Sequence, residues 1–162
     1  MKYFGKLELM VVSIIALFIW IPSARAQTPF DVTFCAFVTF TNLTESPELT
    51  VFGLEAKGIA FSNHENKVFD NMSIQWVAIG QRMPGKSNVS GYCKFMDPDG
   101  HFIIMEDQSA GREATYTFLH GTGKWKGIKG GGKAEIIATG KPIVPGTRQS
   151  CRRFTGTFEL PK

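Results

Sequence analysis

Val32-Thr-Phe-Cys-Ala-Phe-Val-Thr-Phe40 decides the fold class. Val32, Phe34, Ala36, Val38 and Phe40 share one parity, and Thr33, Cys35, Phe37 and Thr39 share the other. That is the period of a strand with one buried face. Asn42 to Pro47 then ends the run with turn-forming residues. Downstream the same period returns at Phe52, Leu54, Ala56, Gly58 and Ala60, at Met72, Ile74, Trp76 and Ala78, and at Val89, Gly91, Cys93 and Phe95. His101 to Asp107 reads as a fifth strand and Ala114, Tyr116 and Phe118 as a sixth. Ala134, Ile136 and Ala138 mark a seventh, and Phe154, Gly156, Phe158 and Leu160 an eighth.

Turn chemistry separates these runs. Pro84-Gly85 sits inside the loop Gln81 to Ser87, and Asp97-Pro98-Asp99-Gly100 predicts a tight reversal, with Pro pre-setting φ and Gly accepting φ > 0. Eight short strands rich in aromatic and β-branched residues predict an all-β fold, an antiparallel barrel or sandwich. We expect the eight-stranded antiparallel barrel, because full closure leaves no strand edge exposed. Its inward faces carry Phe34, Phe52, Trp76, Phe95, Tyr116, Phe118, Phe154 and Phe158. Rings of this kind either fill a core or line a cavity for one small apolar molecule. The first six are the candidate ligand-binding lining.

The chain opens differently. Lys2 and Lys6 precede the apolar run Met10 to Ile21, and Ala24-Arg25-Ala26 supplies a small-x-small cleavage site. Residues 1–26 therefore read as a signal peptide, cleaved after Ala26, with 27–162 as a single barrel domain that is secreted or periplasmic. The apolar run is too short for a lasting membrane anchor, since a spanning helix takes about twenty residues. From residue 27 onward fifteen Lys and Arg face thirteen Asp and Glu, which predicts no nucleic-acid partner. Lys124, Lys126, Lys129 and Lys133, and Arg148, Arg152 and Arg153, are read as solvated charges.

Cys35, Cys93 and Cys151 leave one thiol over if a bridge forms in an oxidising compartment. Cys93 shares its face with Val89 and Phe95, whereas Cys151 has the parity of the solvent-facing Thr155 and Thr157. A Cys93–Cys151 disulfide, the pairing we expect, thus requires irregular backbone before Phe154; the alternative is three free thiols.

Gly121-Thr-Gly-Lys-Trp-Lys-Gly-Ile-Lys-Gly-Gly-Gly132 holds six glycines in twelve positions. Each costs about 0.5–1 kcal/mol relative to Ala in a regular element, so something must hold the segment in place. Trp125 and Ile128, three apart, suit one helical turn that tucks both side chains under the barrel rim. Gly127 to Lys133 begins like a phosphate loop, but Ala134 replaces the required hydroxyl and no helix follows. With its flanking strands, the segment resembles the Gly-Thr-Gly-x-aromatic-x-Gly signature of the allene oxide cyclase and dirigent barrel family. It is also similar to uncharacterised exported bacterial proteins of that fold. Gly91-Tyr-Cys-Lys-Phe95 and Thr155-Gly-Thr-Phe-Glu-Leu160 extend the resemblance. It implies an eight-stranded, also lipocalin-like, barrel with a rim loop at Gly121 to Gly132, and carries over no catalytic residue.

Local signatures of metalloproteases, zinc ribbons and α/β-hydrolases are missing. His64, His101 and His120 are scattered, and Asp97 and Asp99 are explained by their turn, so no metal and no cofactor are expected. Glu55 and Lys57 face away from Phe52 and Leu54, and would become acid-base candidates only if the register slipped by one. Asn42-Leu-Thr44, Asn71-Met-Ser73 and Asn88-Val-Ser90 are glycosylation patterns with meaning only in a eukaryote. The leading expectation is an exported binding or structural module that holds a small apolar ligand. The alternative is a cyclase-like or coupling enzyme that shapes a reactive intermediate in its pocket. A protein-protein module at the cell surface is a third reading.

Overall fold

Alternating apolar residues and tight turns build a meander in which each strand folds back on its predecessor. The computed structural model describes residues 27–161, and the expected leader lies outside the described residues. The strands are β1 (Thr28–Glu45), β2 (Thr50–Ser62), β3 (Met72–Met83), β4 (Lys86–Met96), β5 (Phe102–Ala110), β6 (Glu113–Gly121), β7 (Lys129–Thr139) and β8 (Thr147–Glu159). Every neighbour pair is antiparallel, and β8 pairs with β1 to close the barrel. No helix among the described residues is long and apolar enough to cross a membrane.

The turn between β4 and β5 forms as its residues predict. Gly100 takes φ +84° and donates its N–H to the Asp97 carbonyl at 3.0 Å. In mid-wall, Gly58 is required for another reason: a Cβ there would collide with the Cys35 carbonyl across the ladder.

One end of the interior is a floor of rings. Phe69, in the loop after β2, packs on Phe30 (4.9 Å between centroids), Trp125 (5.1 Å), Phe158 (5.2 Å) and Phe118 (5.9 Å). Phe69 holds a left-handed φ of 59°, which costs about 1–3 kcal/mol and persists only where packing over-determines it. Trp125, in a 3-10 turn at Gly123–Trp125, and Ile128 are both buried, as the spacing of the glycine segment predicts. Sequence periodicity gave no sign of Phe69, because it belongs to a loop.

Three bulges reset the alternation. They leave Leu43 in β1, Leu119 in β6 and Ile137 in β7 without opposite partners and exposed. The seventh stripe is corrected accordingly: Ala134 and Ile136 face inward, but the bulge at Ile137 turns Ala138 out, opposite Cys151.

The cysteine pairing is corrected as well. Cys151 bonds to Cys35, and Cys93 is a buried free thiol. Against β1, β8 runs without a shift from Thr147 to Phe158, so the irregularity that would carry Cys151 inward to Cys93 is missing. Cys35 and Cys151 lie directly opposite each other on outward positions of the closing seam.

Candidate functional site

The inward face of β8 carries Arg148, Ser150, Arg152, Phe154, Gly156 and Phe158 in alternation, so two arginines share a parity with the ring-bearing core. The expectation that Arg148 and Arg152 are solvated is therefore corrected: both are partly buried and point into the barrel. Arg153, on the other parity, faces out and grips Asp31 with two guanidinium nitrogens.

Small residues make room for them. Ala36, Ala56, Ala78, Gly91, Ala114 and Ala134 line the wall around and above mid-barrel. In the middle layer the Arg152 guanidinium lies 4.6 Å from the Trp76 ring centroid. Trp76 Nε1 donates to Asp107 Oδ1 at 2.6 Å, a buried hydrogen bond. Burial pushes the Asp107 carboxyl above its ordinary range, against the Trp76 hydrogen bond and the positive charge of Arg152, which hold it down. Burial also pushes the Cys93 thiol up, and the nearby Asp107 charge adds to the effect, which keeps it an unreactive thiol. Tyr116 donates its hydroxyl to the Thr155 carbonyl at 3.2 Å, and burial raises its pKa.

Above this layer the barrel opens. A hollow of about 350 Å³ lies between Phe40, Phe52, Arg82, Thr139 and Arg148, with Glu45 at its rim. The rings of Phe40 and Phe52 meet edge to face at 5.9 Å. Arg148 stacks over Phe40 at 5.2 Å and Arg82 over Phe52 at 5.5 Å, forming an arc of two rings and two guanidinium groups. Burial lowers the Arg148 pKa, and the like charge of Arg82 lowers it further. By contrast, the floor around Phe30, Phe95, Met105, Tyr116, Phe118 and Phe154 leaves only about 10 Å³.

All six candidate lining residues are buried. Phe52 alone among them borders the mouth hollow. Phe95, Tyr116 and Phe118 belong to the filled floor, Phe34 packs on Phe154 at 6.2 Å, and Trp76 forms the middle layer. Arg82, Arg148 and Asp107 were missed as site residues. Parity could have found Arg148 and Asp107, because each shares a face with buried neighbours.

A larger concavity, about 870 Å³, runs along the outer wall. Its central row is Ile79, Ser90, Gln108, Thr115 and Lys133, which oppose one another across five strands on outward positions. It lacks the convergent charges of the mouth, so the mouth is the better candidate.

Asp97, Asp99 and His101 bring ligand atoms within 4.8 Å of one another. The counter-charge is already there: Lys124 Nζ lies 2.9 Å from both Asp97 Oδ2 and Asp99 Oδ2. Asp97 also accepts from Trp125 Nε1 at 2.9 Å, from the Asp99 N–H at 3.0 Å and from the His101 N–H at 2.9 Å. This cluster anchors the glycine segment to the turn. Glu55 and Lys57 pair with each other at 2.9 Å on the outer face, so the register is the one expected.

No family model matches the chain, and no curated protein matches it in sequence. Among solved structures it is similar to the pterocarpan synthase dirigent protein GePTS1, with a TM-score of 0.51 and 11% identity over 85% of this chain and 93% of that one. For the pterocarpan synthase dirigent protein PsPTS1 the TM-score is 0.48, with 12% identity over 83% and 97%. At this identity the likeness to GePTS1 concerns architecture alone: the chain is a closed eight-stranded antiparallel barrel of dirigent-like fold.

Proposed function

We propose that this protein is an exported binding barrel that takes up one small molecule at its mouth and uses the ring-packed floor as a rigid support. The contrast between the two ends of the interior carries this reading: about 10 Å³ is free among the floor rings and about 350 Å³ at the mouth. The latter lies at the small end of the range for ligand sites. Phe40 and Phe52 offer apolar contact there, and Arg82 and Arg148 are the few polar groups that orient a guest. Export is supported by the Cys35–Cys151 bridge, since such bonds persist in oxidising compartments.

Native mass spectrometry of protein purified from its source without denaturation tests this. A discrete added mass is expected, and it should disappear in Thr139→Trp, which fills the mouth from an exposed rim position. Bare polypeptide mass in every preparation, with no small molecule bound on screening, refutes the reading.

A second reading is an enzyme that shapes a reactive intermediate, and Asp107 favours it. A carboxyl whose pKa is raised, lying in the layer beneath an open mouth, is suited to holding a proton for an intermediate. The fold shared with a pterocarpan synthase dirigent protein is in keeping with it. Asp107→Asn separates the two readings: an enzyme loses turnover while still binding, and a pure binder loses nothing.

A further inference from the structure

Resting on the binding reading, we infer that the mouth selects an organic anion, a carboxylate or sulfonate carried on a flat apolar body. The geometry at Arg82 and Arg148 carries this inference. Each guanidinium carbon lies over a phenylalanine ring, a contact that uses the positive charge and takes up none of the N–H donors. Among the described residues neither forms an ion pair, and Arg148 Nε is buried without any hydrogen-bond acceptor. Arg153 and Lys124, on the outside of the same barrel, are both paired with carboxylates.

An unpaired buried donor on a charged group costs free energy, and two like charges at one mouth add to it. An anionic oxygen in the plane of either guanidinium removes both costs at once, through charge-assisted hydrogen bonds. Arg152, two inward positions below Arg148 on β8, adds positive potential from beneath. Among the described residues that line the mouth and the layer beneath it, the carboxylates are Glu45 and Asp107. Glu45 at the rim accepts from Asn42 Nδ2 at 3.0 Å, and Asp107 below accepts from Trp76. Three guanidinium groups thus face two carboxylates, both already engaged. Phe40 and Phe52 supply the apolar contact that a small inorganic anion could not use.

A matched pair of fluorescent probes tests the inference: anilinonaphthalene sulfonate and uncharged phenylnaphthylamine, which share their rings and differ in the sulfonate. The sulfonate should bind about tenfold more tightly or better, a preference that weakens as salt is added. Arg148→Gln should weaken the sulfonate about tenfold and leave the neutral probe within about twofold. Arg82→Gln, at an exposed rim position where folding is not at stake, should act in the same direction. Equal binding of the two probes overturns the anion inference and leaves the binding reading standing. If neither binds, the anion inference is overturned, and the native mass of protein purified from its source decides the binding reading. Sulfonate binding unchanged in the Arg82→Gln, Arg148→Gln double variant, with near-UV circular dichroism intact, puts the probe elsewhere and also overturns the inference.

Discussion

Replacing Asp97 by Ala asks whether the floor of the barrel is held by ring packing alone or also by the carboxylate beneath the glycine segment. The substitution takes the acceptor away from Trp125 Nε1, from the N–H groups of Asp99 and His101, and from the Lys124 ammonium. The indole N–H is the costly loss, since Trp125 is buried and a buried donor left unmade costs about 1–3 kcal/mol. The two backbone donors lie at an exposed turn, where water replaces the carboxylate at a net cost of about 0.5–1.5 kcal/mol each. The variant should therefore lose about 3–5 kcal/mol in urea unfolding followed by tryptophan fluorescence. Asp97→Asn keeps one acceptor oxygen and should lose about half as much. Lys124→Ala should lose least, because its half-exposed ammonium is screened by solvent.

The same carboxylate gives the series a pH signature. Burial pushes Asp97 up, but the hydrogen bonds from Lys124, Trp125 and the His101 backbone outweigh it and hold its pKa below the ordinary 3.8. A folded-state pKa below the unfolded one contributes stability that is present above the unfolded value and is lost as pH falls through the folded value. Wild-type protein should thus lose stability below about pH 4 more steeply than Asp97→Asn. A loss under about 1 kcal/mol for Asp97→Ala, or a series in which Lys124→Ala is the most damaging, would refute the account of the floor.

Two further outcomes follow from the seam and the middle layer. The bridge closes a separation of 116 residues, for which loop-closure entropy gives an upper figure of about 5 kcal/mol. Cys35→Ala with Cys151→Ala should lower unfolding free energy by about 2–5 kcal/mol; intact protein should show one thiol, Cys93, that reacts with a thiol reagent only on unfolding, and three reactive thiols would contradict the pairing. For Asp107 the sign is opposite to that of Asp97. Its pKa is raised in the fold, so its favourable contribution exists below the unfolded value and is lost as pH rises through the folded one. Asp107→Asn, which keeps an acceptor for Trp76, should be at least as stable as wild type at pH 7, with the advantage vanishing below about pH 4 in the same urea assay. A clear loss at pH 7 contradicts this.

Alternation made the walls legible. Val32 to Phe40 lies in β1 with the expected face inside, and the same holds for Met72 to Ala78 and for Phe154 and Phe158. What alternation cannot encode is contact between distant segments. Cys35 and Cys151 both had outward parity, but their pairing depends on β1 lying beside β8, a consequence of closure that neither strand carries by itself. Bulges at Leu43, Leu119 and Ile137 change the phase without a distinctive residue to announce them. The site was partly readable: Arg148 stands two places before Ser150 and Arg152 two places before Phe154 in the inward set, and their charge argued for solvent against a parity that argued for the interior. Phe69 and the Asp97–Trp125 contact join loops, where side-chain direction has no period to follow.

The last ladder, Thr28–Thr39 against Thr147–Phe158, joins the first strand of the barrel to the eighth. A ribosome delivers β1 well before β8, so one flank of β1 must wait, hydrogen-bond groups unsated, until β8 has been made. Cys35 waits beside it as a bachelor sulfur. Any premature stop upstream of Thr147 therefore yields a polypeptide with two bare flanks and a Cys35 thiol that has lost its partner.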